Sequence, residues 1–169
     1  RENDYYNKMT ENSKSFREDL FQELKKRIKE DEESVPYFYN GYWYITRFEK
    51  GQQYPIYTRK KDSMNALEEI IFDCNQMAKD HDYFRLVGMN VSPDNSKVIY
   101  GTDTQSRRKY TLYVKNLVTG KVLDTEIKNT SGQSVWSSDN KNFFYVHKNS
   151  TTLRPEKVFR HNIELPSSN

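Results

Sequence analysis

Apolar residues recur at Phe16, Leu20, Leu24 and Ile28, with Met9 and Phe21 nearby. A step of four keeps side chains on one face of a 3.6-residue turn, so residues 4–32 are predicted to be an amphipathic helix. Glu23, Lys25, Lys26, Arg27, Lys29 and Glu30 fill the other face. Ser13 or Ser15 is placed to cap a break near the middle. Acids are interleaved with bases and no Trp faces the stripe. It therefore reads as an arm lying on a larger body rather than as a basic helix on a membrane surface. Pro36 is the expected end of the helical region.

Beyond Pro36 the period changes from helical to alternating. Tyr42–Phe48 and Tyr54–Arg59 are β-rich runs separated by Glu49-Lys50-Gly51-Gln52-Gln53, which predicts a hairpin. In the stretch that follows, Ile70, Ile71 and Phe72 suit a short strand and Asn75 to Lys79 a helical turn. From residue 84 the chain repeats itself. Val91-Ser92-Pro93-Asp94-Asn95-Ser96-Lys97-Val98-Ile99-Tyr100 aligns without gaps on Trp136-Ser137-Ser138-Asp139-Asn140-Lys141-Asn142-Phe143-Phe144-Tyr145, an offset of 45. Leu112–Leu117 matches Val158–Ile163 at an offset of 46.

A unit of about 45 residues built from short strands and turns is the size of one propeller blade. Each unit would hold an inner strand ending in the Ser-Pro-Asp or Ser-Ser-Asp turn, then a second and a third strand. A fourth, such as Lys121–Ile127, would follow. The predicted fold is mainly β: a partial β-propeller of four-stranded antiparallel blades, preceded by the helical arm. The expected organisation is an arm at 1–33 and opening blades at 34–169. The latter divide into a first hairpin at 41–60, a connector at 61–83, a blade at 84–132 and a partial blade at 133–166. Rings commonly hold about 4 to 8 blades, so 169 residues read as a piece of a longer protein. Cutting a ring leaves strand edges and apolar faces bare, and the piece is expected to self-associate.

Composition narrows the picture. Leu, Ile, Val and Phe make up 36 of 169 residues, close to the level at which chains stay disordered. A net charge of only +3 and an aromatic content of 14% oppose disorder. The mean hydropathy of −1.04 and the lack of a long apolar run exclude a membrane-spanning helix. Mixed charge gives no strong field for nucleic acid. Cys74 is the only cysteine, which excludes an internal disulfide and a cysteine-based zinc site. Arg1 in place of Met reads as a trimmed chain, so the compartment, cytoplasmic or periplasmic, is not legible.

The six glycines, 41, 51, 88, 101, 120 and 132, are never closer than ten apart. G-x-S-x-G, G-x-G-x-x-G and the P-loop are thereby excluded. His81, His147 and His161 cannot form H-E-x-x-H and show no triad spacing, so each reads as structural. Asp94 and Asp139, in separate units, read as turn residues that bond nearby backbone rather than as metal ligands. Cys74, after an apolar run, reads as a buried inert thiol rather than a reactive one. No catalytic, cofactor-binding or metal residue is expected. Arg107, Arg108 and Lys109 form the densest basic cluster outside the helix. They read as a solvated loop, with ion pairing to another domain and nucleic-acid contact alongside Tyr110 and Tyr113 as the alternatives.

The order of several pieces carries a resemblance. Tyr42-Trp43-Tyr44, Glu49-Lys50-Gly51, Tyr54-Pro55-Ile56-Tyr57 and Glu68–Asn75, with Ala78, His81, Tyr83 and Phe84, come first. Ser92-Pro93-Asp94, Arg107–Tyr113, Asn129-Thr130-Ser131-Gly132, Trp136, Asp139-Asn140-Lys141, Phe143–Val146 and Thr152-Leu153-Arg154 continue it. Taken in this order over nearly the whole chain, they resemble the oligopeptidase B (protease II) members of the prolyl oligopeptidase family of serine peptidases. The resemblance implies an arm and a seven-bladed propeller capping a C-terminal α/β-hydrolase domain that carries the Ser-Asp-His triad. It implies cleavage of short peptides after Arg or Lys, with the propeller as lid and size filter. No family catalytic residue maps onto this chain. The expected partner is the hydrolase domain of the same parent, with Arg107, Arg108 and Arg154 as candidate interdomain contacts. The alternative is a propeller-type module that binds proteins or peptides without enzymatic work.

Overall fold

The computed structural model describes residues 1–165. Residue 166, the expected end of the partial blade, lies outside that range. The arm is two helices, α1 (Glu2–Thr10) and α2 (Lys14–Lys26), joined by a single 3₁₀ turn at Glu11–Ser13. The break expected near the middle is present, but its cause differs. Ser13 makes no side-chain capping bond. Instead the Thr10 hydroxyl donates to the Tyr6 carbonyl and the Ser13 hydroxyl to the Thr10 carbonyl, both at 2.8 Å. Hydroxyls that bond back onto the preceding turn compete with the helical ladder.

The helix also stops short of residue 32. The chain must turn extended after Lys26, because Glu32 and Glu33 pair with Phe48 and Arg47 as the short strand β1 (Glu32–Glu33). The stripe does not lie on the body. No residue of either helix is buried, and Phe16, Leu20, Leu24 and Ile28 are exposed.

Unit one is an antiparallel sheet of β1, β2 (Tyr37–Tyr39), β3 (Tyr42–Phe48), β4 (Ile56–Lys61) and β5 (Glu68–Asp73). The predicted hairpin is its β3–β4 pair. β1 and β2 share one edge of β3 and act as a broken inner strand. The strand expected at Ile70–Phe72 is the outermost, β5, and α3 (Cys74–Met77) supplies the helical turn. Asp73 starts that turn by accepting from the Asn75 and Gln76 amides.

Unit two holds β6 (Arg85–Val91), β7 (Lys97–Asp103), β8 (Tyr110–Asn116) and the first half of β9 (Val122–Trp136). Unit three holds the second half of β9, β10 (Asn142–Lys148) and β11 (Pro155–Asn162). Separate sheets were expected. Instead the fourth strand of unit two runs on as the inner strand of unit three, so all six strands form one ladder, β11-β10-β9-β8-β7-β6. The first half of β9 pairs with β8 and the second with β10. Asn129 and Gly132, both at positive φ, let the strand bend between the two duties.

Beyond the bend, β9 lies against β6. A Cβ added to Gly88 would sit 1.8 Å from the Gly132 carbonyl oxygen, and one added to Gly132 would sit 2.5 Å from Val87 Cγ2. Only glycine permits this approach. The Asn90 amide donates to Ser134 O at 2.7 Å, and the Trp136 indole N–H returns a bond to Asn90 O at 2.9 Å.

The core has two layers, separated by the alternation of β7. Val98 and Tyr100 pack with Tyr44, Ile71, Phe72, Cys74 and Phe84 against unit one. Ile99, on the opposite side of the pleat, packs with Leu112, Val114, Trp136 and Phe143 against unit three. Burial, with Asp73 adding to it, pushes the Cys74 thiol up to about 12, so it stays protonated and inert. Among the described residues no helix is long and apolar enough to cross a membrane.

Candidate functional site

Both ends of the stacked units carry turns, and the two ends differ. At one end lie three equivalent turns with a left-handed asparagine in each: Asn40, Asn95 and Asn140, φ 48°, 60° and 58°. They reach between units. Asn40 Nδ2 donates to Pro93 O at 2.8 Å, Asn95 Nδ2 to Asn40 O at 3.0 Å, and Asn140 Oδ1 accepts from the Asp94 amide at 2.9 Å. Asp94 accepts from Ser92 and Ser96, and Asp139 from the Lys141 and Asn142 amides. The carboxylates serve their own turns, and the bonds from Asn142 chiefly hold Asp139 down at about 2. No cluster of three or more metal-ligating side chains occurs among the described residues.

Arg59 fastens the same side from within. Its guanidinium is 4% exposed, donates to Glu69 at 2.8 Å and to Asn95 O at 3.1 Å, and lies 4.1 Å from the centre of the Tyr42 ring. Sequence reading missed both Arg59 and the asparagine series. The Asn-Gly and Asp-Asn dipeptides at 40–41, 94–95 and 139–140 were the available signal for the latter.

The opposite end gathers the loops between second and third strands: 49–55, 104–109 and 149–154. Asp103, almost fully buried, accepts from the Gln105 amide at 2.9 Å and the Arg108 amide at 2.7 Å. Its carboxylate thereby shapes the loop that presents Arg107 and Arg108. Asn149 does the same for the next loop, accepting from the Thr151 and Thr152 amides. Lys148 Nζ ties the two loops by donating to Arg108 O at 2.8 Å. Arg107, Arg108 and Arg154 are all exposed on this rim. The arm enters at the same end, through the Glu32–Phe48 pairing. Lys25, Ile28 and Lys29 border a hollow of about 420 Å³ with Phe48, Gly51, Gln52 and Gln53.

Also opening here is a cavity of about 670 Å³ between units one and two, walled by His81, Tyr100, Thr102, Lys109, Tyr113 and Lys128 among others. The matching positions of unit three are filled. His147 and Phe159 stand where unit two has Thr102 and Tyr113, and their rings meet edge-on at 5.8 Å. The three histidines do not converge on a nucleophile. His81 stacks near Phe84, His147 lies 3.3 Å from Glu156, and His161 packs on Phe143. Burial lowers the pKa of His161.

A family model described as the N-terminal β-propeller domain of prolyl oligopeptidase matches residues 1–169. The chain belongs to the prolyl oligopeptidase family. Dipeptidyl aminopeptidase BI of Pseudoxanthomonas mexicana is 35% identical over 99% of this chain and 25% of its own length. Protease 2 of Moraxella lacunata is 28% identical over 96% of this chain and 24% of its own. Oligopeptidase B from Leishmania major superposes with a TM-score of 0.87 at 30% identity, over 96% of this chain and 23% of that one. The chain thus spans about a quarter of these relatives. It corresponds to the arm and opening part of a propeller that is not closed here, and the resemblance to oligopeptidase B is shown.

Proposed function

We propose that this chain is the non-catalytic opening of the lid propeller in a serine oligopeptidase that cleaves short peptides after Arg or Lys. In this reading the propeller filters substrates by size above a C-terminal α/β-hydrolase domain. The rim bearing Arg107, Arg108 and Arg154 faces that domain. The observation that carries the reading is the convergence at one end of three exposed guanidinium groups and an arm whose apolar stripe is bare. Exposed cations on one rim, and exposed Leu and Phe on the arm that enters at that end, suit surfaces that another body covers.

The test uses the isolated chain and the same chain extended through the gene's following codons to include the hydrolase domain. A short Arg-containing fluorogenic peptide is expected to be cut only by the extended form. Turnover by the isolated chain that a serine-directed inhibitor abolishes would overturn the reading. The relatives are named for different cuts, so the peptide is offered with a blocked and with a free amino terminus. Cleavage only as dipeptides from the free form would replace the proposed specificity. In the extended form, reversing Arg107, Arg108 and Arg154 to Glu is expected to lower kcat/KM about tenfold and to change its salt dependence.

One observation favours a second reading, a peptide-binding module: the open cavity between units one and two. Binding of peptides by the isolated chain, lost on filling the cavity with Thr102→Trp, would support it.

A further inference from the structure

The wedge between units one and two stays open at a place that the repeat fills in unit three. Tyr145, His147 and Phe159 of unit three hold the positions of Tyr100, Thr102 and Tyr113 in unit two, at offsets of 45 and 46. In unit three the Phe159 ring stacks on Tyr145 at 5.8 Å and meets His147 edge-on. Unit two keeps a ring at two of these positions and a threonine at the third. Thr102 thus leaves the room that His147 takes, and the cavity of about 670 Å³ lies there. Its walls come from two neighbouring units that are both in place: the connector after α3 on one side, and β7, β8 and β9 on the other. The volume falls within the roughly 300–1,000 Å³ of small-molecule sites.

The walls combine rings with positive charge. The His81 ring lies near-parallel to Phe84 with centroids 6.2 Å apart, and Tyr100 and Tyr113 stand 5.7 Å apart. Lys109 and Lys128 supply the charge, and no acidic side chain walls the cavity among the described residues. Lys128 is shared with Glu126 at 3.2 Å, both well exposed. Lys109 is partly buried and has no ion-pair partner among the described residues. Tyr100 is only 4% exposed, and its hydroxyl has no hydrogen-bond partner among the described residues. Burial, with Tyr113 adding to it, pushes the Tyr100 phenol up to about 12, so it remains an O–H donor. A partly buried cation with no counter-ion and a buried hydroxyl with no acceptor lack the same thing, an acceptor that carries negative charge.

We propose that this cavity binds a small aromatic carboxylate, its ring against the His81–Phe84 and Tyr100–Tyr113 pairs and its carboxylate held by Lys109, with Tyr100 as the neutral donor. The ligand is smaller than the peptides of the second reading above and needs no hydrolase chemistry, so each can fail alone.

Isothermal titration calorimetry tests it on the chain extended through the gene's following codons, with indole-3-acetate as the probe. Indole-3-acetamide (the same shape without the charge) and acetate (the charge without the ring) are the controls. One-site binding of indole-3-acetate is expected, with each control weaker by at least about tenfold, the worth of a hydrogen bond to a charged group. Lys109→Gln is expected to weaken indole-3-acetate by a similar factor and to leave the amide unchanged, a split that loss of folding would not give. Thr102→His, which copies the filled position of unit three, is expected to abolish binding, and circular dichroism checks that each variant keeps its sheet. No binding of indole-3-acetate by the unaltered chain, equal binding of acid and amide, or binding that either variant leaves unchanged would each overturn the proposal. Peptide binding lost in Thr102→Trp, without any binding of indole-3-acetate, would overturn it and leave the peptide reading standing.

Discussion

Units two and three are written in nearly the same sequence pattern and reach different burial. Val98 and Phe143, aligned in the repeat, are both fully buried, each facing the preceding unit. One residue later the two part. Ile99 is covered and Phe144 is not, because among the described residues unit two has a neighbour on both faces and unit three on one. An apolar side chain at a given place in the repeat is therefore core or surface according to what stacks on it. A motif fixes the strand and its alternation, while burial belongs to the stack.

The comparison breaks most severely at the glycines that let units two and three touch. Gly88→Ala drives a methyl group into the Gly132 carbonyl. It is expected to cost about 4 kcal/mol or more, since buried overpacking against backbone can relax little. Urea denaturation should show the loss as a large fall in midpoint. If the midpoint barely moves, β6 and β9 are not pressed together as described.

Truncating matched residues sharpens the contrast. Leu112→Ala is expected to cost about 3 kcal/mol, the usual range for a buried leucine. Its counterpart Val158→Ala should cost under about 0.5 kcal/mol as a surface change. Equal losses at the two positions would show that Val158 is covered in solution.

A smaller effect comes from the asparagine series. Asn95 bonds unit one through its amide, and its φ of 60° favours Asn or Gly. Asn95→Gly keeps the backbone allowed and removes the side-chain bond, at about 1 kcal/mol. Asn95→Ala adds left-handed strain to that, for about 2 kcal/mol in all. The difference between the two thermal melts separates backbone strain from the link between units.

The smallest effect expected is a pH slope from unit three. His161 has its pKa lowered by burial, so the unfolded chain takes up the proton first as pH falls. Its contribution to stability is complete above the unfolded pKa of about 6.5 and declines below it toward the folded value. Melting between pH 7.5 and pH 5.5 should show the decline, and His161→Phe should flatten it.

Much of this fold was legible because the repeat is local. The Ser-Pro-Asp and Ser-Ser-Asp turns, alternation and the 45-residue offset place β7, β8, β10 and β11 from the sequence. The inner strand of unit one was not legible. β1 and β2 are two and three residues long, interrupted by Pro36, and too short to show alternation. The merging of two strands into β9 was hidden as well, because a bend at Asn129 and Gly132 looks in sequence like a turn that ends a strand. Periodicity showed which side of the arm is apolar, but what that side touches depends on residues outside the pattern. The basic cluster was visible as charge. Its neighbourhood with Arg154 depends on Lys148 reaching Arg108, a contact forty residues apart in the chain.

The unbroken β9 has a mechanical consequence. Units two and three share one spar with no loop between them, whereas unit one meets unit two through side chains and a separate connector at residues 78–84. Under load, the first unit should peel away alone, while the other two yield in a single event.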